Sequence, residues 1–367
     1  MADGRELLYF DDTEPWLSGE RPRDAVDHRP LPHADDVVRG GSQLRFDPLT
    51  GDWIAMASHR NDRTLMPPPD EDPLAPTRPG KFPTEIPDDS YDVVVFENRF
   101  PSFSPRVGGE HSLVDGEELF PVRPATGRCE VICFSSEPSG SFGGLDPRRA
   151  RTVVEAWVDR TRELLALDGV EQVFCFENRG TEIGVTLPHP HGQIYAYPYV
   201  TPKSAQMLRR AVEHREATGR NLFRDVVAAE RRAGTRVVTT SEHWVAYVPA
   251  AARWPVELHL APLRDDVRDL TGLSEVEKAD LVPMYLDLLG RLDRYYPDPH
   301  PLPYISGWHQ APAGTAGEEF RLHLQLFSVL RGPGKLKYLA GSESGMAAWI
   351  NDTTPERVAE RLREVAP

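Results

Sequence analysis

The sequence predicts an α+β protein of two similar halves, mostly antiparallel sheet with flanking helices. Short runs of β-branched and aromatic residues recur along the chain, several of them in hairpin-like pairs. An amphipathic helical stretch interrupts the strands in each half. The third observation is an echo. His191-Gly192-Gln193-Ile194 in the first half returns as His323-Leu324-Gln325-Leu326 in the second, each on a strand that follows a helix.

Residues 1–40 are polar and proline-bearing except for Leu7-Leu8-Tyr9-Phe10, and they read as an arm that packs on the body or on a partner. Gln43 to Phe46 and Trp53 to Met56 alternate around Asp47-Pro48-Leu49-Thr50-Gly51-Asp52, which predicts a hairpin. Residues 66–90, rich in Pro and Asp, predict a long irregular loop. Tyr91 to Phe96 and Glu130 to Phe134 are near-continuous apolar runs, expected as buried strands. Asp146-Pro147 supplies a helix cap followed by proline at the first helical position. Ala150, Val153, Val154, Trp157, Val158, Thr161, Leu164 and Leu165 then line one helical face. Gln172 to Glu177 returns as a strand, and one helical stretch is expected from about Lys203 to Arg232.

The second half repeats the plan. Val237 to Thr239, Trp244 to Val248 and Val256 to Leu260 read as strands. Ser274 with Glu277 marks a capping box that opens a helix through Leu292, with Pro283 inside it. Pro303 to Trp308 and Phe320 to Phe327 are further strands, and Thr354-Pro355 caps a last helix through Val365. The expected division is an arm at 1–40, a catalytic half at 41–200 and a second half at 201–367.

Bulk properties narrow the function. The chain has 367 residues, 40% hydrophobic and 27% charged, enough for a substantial core. A net charge of −15 argues against nonspecific binding to nucleic acid or anionic membrane, although a local basic pocket for phosphate is compatible with it. Cys129, Cys133 and Cys175 are sparse, odd in number and set in apolar runs, as reduced core thiols are. With no apolar signal core near Met1 and no run long enough to span a bilayer, the expected location is the cytoplasm.

The chemistry centres on Leu187-Pro188-His189-Pro190-His191-Gly192-Gln193. A neutral imidazole at His191 offers one bare nitrogen near pH 7. Pro190 stiffens the approach, Gly192 permits close passage of the backbone past a bulky anion, and Gln193 offers an amide donor to a phosphoryl oxygen. The competing reading is a metal site or a histidine pair in a turn, since short His-rich tracts often bind metal. Arg60 and Arg63 are placed to hold phosphates, though by themselves a solvated turn is the more ordinary setting for them. Asn98, Phe100 and Asn178 close strands where amides can read ribose hydroxyls or simply form turns. Lys335 and Lys337 flank a glycine-rich approach and are phosphate candidates, or, as such lysines more often are, ordinary surface charge. His309 and His323 are candidate metal ligands or satisfied core histidines.

These segments together resemble the galactose-1-phosphate uridylyltransferase family. His189-Pro190-His191-Gly192-Gln193 after Phe176-Glu177-Asn178-Arg179-Gly180 carries the similarity, with Asp47-Pro48-Leu49-Thr50-Gly51, Ser58-His59-Arg60, Val95-Phe96-Glu97-Asn98 and Ser306-Gly307-Trp308-His309-Gln310-Ala311-Pro312 in the same order. The resemblance implies two related histidine-triad-like halves, usually in a homodimer. It implies a double displacement in which UDP-glucose uridylylates His191 and galactose 1-phosphate then takes the UMP group. The Nδ1 proton of His191 would go to a backbone carbonyl near His189, and Gln193 would donate to the uridylyl phosphate. Thr186 stands where the family commonly has a serine. Asn98, Phe100, Asn178 and Gly184 match positions at the uridine end, and Arg60 and Arg63 match phosphate-binding arginines. Lys337, Tyr338 and Glu343 match a hexose-phosphate loop that reaches into the neighbouring subunit's site. No cofactor takes part in this chemistry.

The chain departs from the pattern at its metals and at the sugar loop. Some relatives bind a structural zinc through a Cys-x-x-Cys pair, a further histidine and the first histidine of the central motif. Here the pair reads Asp72-Pro73-Leu74-Ala75 and the further position is Pro138, so zinc at His189 is not expected. A second metal site keeps His309 and His323, but Gln325 replaces a histidine and no matching Glu lies near Met207. Ser342 and Ile350 replace the usual tyrosine and glutamine of the sugar loop, which opens the question of sugar identity. The alternatives are a nucleotide-sugar phosphorylase or dinucleotide hydrolase of the same superfamily, or a nucleotide-binding protein without chemistry.

Overall fold

The computed structural model describes residues 1–33, 35, 41–62, 71–81, 83–107, 109–297, 301–314 and 317–366. In chain order the first half contributes β1 (Leu7–Phe10), β2 (Ser42–Asp47), β3 (Asp52–Ala57), β4 (Val93–Glu97), β5 (Ser112–Leu113), β6 (Pro121–Pro124) and β7 (Arg128–Cys133). Helix α1 (Pro147–Leu165), β8 (Gln172–Arg179) and β9 (His191–Tyr197) complete it. The second half has α2 (Pro202–Thr218), α3 (Leu222–Ala233), β10 (Val237–Thr240), β11 (Trp244–Tyr247), β12 (Val256–Pro262), α4 (Glu275–Asp293), β13 (Tyr304–His309) and β14 (His323–Ser328). It ends with β15 (Leu330–Gly332), β16 (Lys335–Leu336), α5 (Gly341–Met346) and α6 (Pro355–Glu364).

Ten strands form one sheet in the order β1-β4-β7-β9-β8-β13-β14-β12-β11-β10. Every pairing along it is antiparallel. The order is nearly palindromic about the β8/β13 seam, where Phe176 pairs with Gly307 and Asn178 with Ile305. Each half thus lays its histidine strand, β9 or β14, second from the seam. A separate four-stranded sheet, β3-β2-β6-β5, is attached to the first half.

The alternation of side chains on each strand sorts the two faces. Ile132, Ile194, Leu324 and Leu326 point to one face, where they are buried in the main core with Val153, Val154 and Trp157 of α1 and Leu281, Leu288 and Leu289 of α4. Burying such chains contributes roughly 1.5–3 kcal/mol each. Position 193 stands opposite Phe176 and 325 opposite Gly307, which sends the histidines and glutamines of β9 and β14 to the other face. The main core therefore lies under one face, and smaller clusters cover parts of the other around the two histidines.

Helix starts and stops follow the local signals. Asp146 accepts from the amides of Arg148 and Arg149, and Ser274 with Glu277 makes the full capping box. Pro283 sits within α4, which still runs to Asp293. Two expectations are corrected. The stretch from Lys203 to Arg232 is two helices, because Gly219 takes φ +70° to end α2 and Asn221 accepts from the Arg224 amide to start α3. The Phe320 to Phe327 run becomes strand only at His323. At the N-terminus, Leu7–Phe10 joins the main sheet as its edge strand, paired with Val93–Phe96.

Candidate active site

His191 opens β9, opposite Cys133 of β7, and Gln193 follows opposite Val131 and Phe176. The turn before β9 is held at three points. The Phe134 amide donates to the Pro190 carbonyl at 3.0 Å. The His191 Nδ1–H donates to the His189 carbonyl at 2.7 Å. His189 itself is buried and gripped by its ring: Nδ1 lies 2.7 Å from Asp72 Oδ2, and Nε2 lies 2.8 Å from the Ser135 carbonyl and 2.7 Å from the Tyr91 hydroxyl. Tyr91 passes its own proton to the Leu74 carbonyl at 2.8 Å.

The consequence for His191 is a defined tautomer. A carbonyl only accepts, so Nδ1 carries the proton and Nε2 presents a lone pair. No protein partner meets Nε2 among the described residues. Burial pushes the His191 pKa below its ordinary 6.5, the carbonyl bond of His189 opposes this, and the ring is neutral at pH 7. Beside it the buried Gln193 Oε1 has no hydrogen-bond partner among the described residues, uncommon for a buried polar atom.

Gly192 has a different job from the one expected of it. A Cβ there would lie 2.8 Å from the Phe176 carbonyl oxygen and 3.0 Å from Phe134 Cζ. The missing side chain thus admits the core beneath the strand rather than an anion above it.

The remaining sequence-predicted residues divide by location. Asn98 and Phe100 line a cleft of about 150 Å³ with Arg99 and Phe103, and Asn98 Oδ1 accepts the Phe100 amide at 2.9 Å in a local turn. Arg60 Nη1 donates to the Phe100 carbonyl at 2.7 Å, so this guanidinium belongs to the same corner. Arg63 lies outside the described residues. Asn178 is on the β8 end, two residues beyond the Phe176–Gln193 pair and on the same face. Gly184 takes φ +84° in the turn leading toward Thr186, which is partly exposed. Lys337 and Glu343 form an ion pair of 3.2 Å, and the Lys337 ammonium also donates to the Ile350 carbonyl. Tyr338 beside them is 76% exposed. Within one chain Lys337 and Glu343 bond to each other and to their own loop, and among the described residues no hydrogen bond or ion pair joins them to His191 or Gln193.

His309 and His323 are brought together, their rings stacked 5.1 Å apart. Burial holds His323 down at about 3 and His309 well below its ordinary value. Gln325 donates to His323 Nε2 at 3.0 Å, and Lys203 Nζ donates to Gln325 Oε1. Among the described residues no group of three or more His, Cys, Asp or Glu side chains is arranged to hold a metal ion. Sequence reasoning missed Tyr91 and Lys203, and it read Asp72 only as a lost zinc position.

Residues 33–201 match the family described as galactose-1-phosphate uridyl transferase, N-terminal domain, and residues 206–367 match its C-terminal domain. The chain belongs to the galactose-1-phosphate uridylyltransferase family. A galactose-1-phosphate uridylyltransferase of Streptomyces lividans is 46% identical over 100% of this chain and 96% of its own. That of Thermotoga maritima is 33% identical over 88% of this chain and 98% of its own. A solved uridylyltransferase structure superposes with a TM-score of 0.76 at 30% identity, covering 88% of this chain and 98% of that one. An ADP-glucose phosphorylase of Arabidopsis thaliana, at 23% identity and a TM-score of 0.64, shares the fold. The family membership extends to both halves, so the α+β architecture of two histidine-triad-like halves is the family's own.

Proposed function

We propose that this chain exchanges UMP between UDP-glucose and galactose 1-phosphate through a covalent uridylyl-His191. The single observation that carries the chemistry is the bare Nε2 of a neutral His191 whose Nδ1–H is held by the His189 carbonyl. Nε2 attacks the α-phosphorus of UDP-glucose, the N–P bond forms, and the P–O bond to glucose 1-phosphate breaks with its electron pair on the departing phosphate oxygen. The imidazole of the adduct gains positive charge, which the His189 carbonyl stabilises through the retained Nδ1 proton. A phosphate oxygen of galactose 1-phosphate then attacks, the N–P bond breaks, and His191 returns neutral. Splitting one exchange into two in-line displacements is the advantage of the covalent route.

Gln193 donates its amide NH2 to the uridylyl phosphate from its place two residues beyond His191 on the same strand face. Asn98, Phe100, Asn178, Gly184 and Thr186 hold the nucleoside end, and Arg60 with Arg63 the phosphates. This protein chemistry supplies the reaction without a cofactor, and the grip of Asp72, Ser135 and Tyr91 on His189 does the positioning that a zinc does in some relatives. Functionally the chain divides into an arm (1–40), a catalytic half (41–200) and a second half (201–367), and the two matched family segments support the boundary near 201. We assign it to the cytoplasm, in keeping with three free buried cysteines; among the described residues no helix is long and apolar enough to cross a membrane. Tyr338, Met346 and Ile350 are 76%, 79% and 59% exposed beside Lys337 and Glu343. Such an apolar loop supports a homodimer in which it reaches the partner's sugar phosphate.

The test is the mass of the protein after mixing with UDP-glucose. One uridylyl group is expected on the wild type and none on His191→Gly. Galactose 1-phosphate should discharge the adduct to UDP-galactose, and inorganic phosphate should not. An adduct on the His191→Gly variant removes His191 from the role.

A further inference from the structure

The second half carries a cavity of about 640 Å³ on the same open face of the sheet. It lies over β11, β12 and β14, on the far side of the seam from His191. At its floor stand His323 and Gln325, the residues of β14 that repeat His191 and Gln193 of β9 in position. The repeat is geometric as well: His323 Nδ1–H donates to the carbonyl two residues back, that of Arg321, at 2.9 Å.

The lining is one-sided in charge. Six arginines and Lys203 face two carboxylates, in a chain whose net charge is −15. Some of the arginines are spent on neighbours, Arg224 on Asp265 and Arg264 on Glu277. Others are not. Among the described residues no carboxylate lies within ion-pairing distance of Lys203, Arg253 or Arg321; Lys203 donates to the neutral Gln325, and Arg321 donates to backbone carbonyls. The walls between them include apolar side chains, Phe223 and Val227 of α3 and Tyr247 of β11. Concentrated cations attract an anion, and an apolar slot of this size takes a flat ring system.

We propose that this cavity is a second ligand site, for a nucleotide, with its phosphates on Lys203, Arg253 and Arg321 and its base against Phe223 and Val227. It binds without chemistry, because Gln325 donates to the nitrogen of His323 that corresponds to the attacking one of His191. The site is independent of uridylyl transfer at His191, and the two can be told apart.

The test is equilibrium dialysis of the intact protein with radiolabelled UDP at low ionic strength, alongside the mass measurement with UDP-glucose. The wild type should bind two UDP per chain and accept one uridylyl group. Lys203→Met and Val227→Trp should each lose one UDP equivalent and still accept the uridylyl group. Arg253→Glu, at the exposed rim, should weaken that same equivalent by at least about fivefold. If the amount of UDP bound is the same in all three variants as in the wild type, the second site does not exist. A missing uridylyl adduct would bear on His191 alone, since the UDP equivalent sensitive to Lys203 is counted without it.

Discussion

His191 and His323 make the same hydrogen bond from the same place: each opens its strand and donates Nδ1–H to the carbonyl two residues earlier, at 2.7 Å and 2.9 Å. They differ at the other nitrogen, bare in His191 and capped by the Gln325 amide in His323. The two halves thus hold the same tautomer and differ in whether Nε2 is capped.

The pH profile follows from that pairing. Burial is the largest influence on His191 and disfavours the imidazolium, so protonation of Nε2 requires a pH below the ordinary 6.5. The kcat/KM for uridylyl transfer should stay level from about pH 8 to 6.5 and fall only under more acidic conditions. Initial rates with UDP-glucose across that range check it. An acid limb centred above 6.5 contradicts a buried neutral nucleophile.

Asp72 should matter more than its distance in sequence suggests. It faces Nδ1 of the buried His189 at 2.7 Å, and the His189 carbonyl aims His191. Asp72→Ala removes one partner of a buried hydrogen bond and should cost about 1–3 kcal/mol. Asp72→Asn keeps an acceptor and should be milder in stability, with kcat down on the order of tenfold, as for groups that orient a reacting residue from behind. Urea unfolding and single-turnover rates separate the two effects. Chelator treatment should leave the midpoint unchanged, because protein groups hold His189.

Much of this site was legible in the sequence, for physical reasons that differ by residue. The α1 face was readable because helical periodicity is local, and the caps at Asp146 and Ser274 lie beside the turns they close. The break at Gly219-Arg220-Asn221 carried its signals too, a glycine and then a capping amide, but the apolar pattern ran across it. Leu7–Phe10 was unreadable as a strand, since its partner Val93–Phe96 lies some way along the chain and four residues are too few to show alternation. The Asp72–His189 and Lys203–Gln325 contacts span 117 and 122 residues, beyond any spacing argument. Gly192 was visible as a glycine, while its reason, the proximity of Phe176 and Phe134, is tertiary.

That reason is testable. Gly192→Ala places a methyl 2.8 Å from a strand carbonyl, which cannot swing aside as a side chain can. Overpacking of this kind costs about 1–3 kcal/mol, and the strain falls on the residue between His191 and Gln193. Transfer should drop together with the unfolding midpoint. Unchanged stability would mean that β9 yields freely, and the packing account of Gly192 would be wrong.

Glu177 provides the last prediction, at the back of the site. Its carboxylate is buried on β8, takes a hydrogen bond of 3.0 Å from Tyr304, and sits beside the Arg179 guanidinium. Burial outweighs both and pushes its pKa up to about 7 from an ordinary 4.5. The folded chain therefore keeps this proton where the unfolded chain releases it. The stabilising contribution is fully present below pH 4.5 and is lost as the pH rises through 7. At about 1.4 kcal/mol per pH unit, charging Glu177 in place costs on the order of 3–4 kcal/mol above neutrality. Glu177→Gln keeps an acceptor for Tyr304 and cannot ionise. Its stability should match the wild type near pH 4.5 and exceed it increasingly toward pH 8, with the gap opening between those values. Urea midpoints at several pH values measure it directly; a constant difference, or one that shrinks as the pH rises, would show that the carboxyl is already ionised when folded.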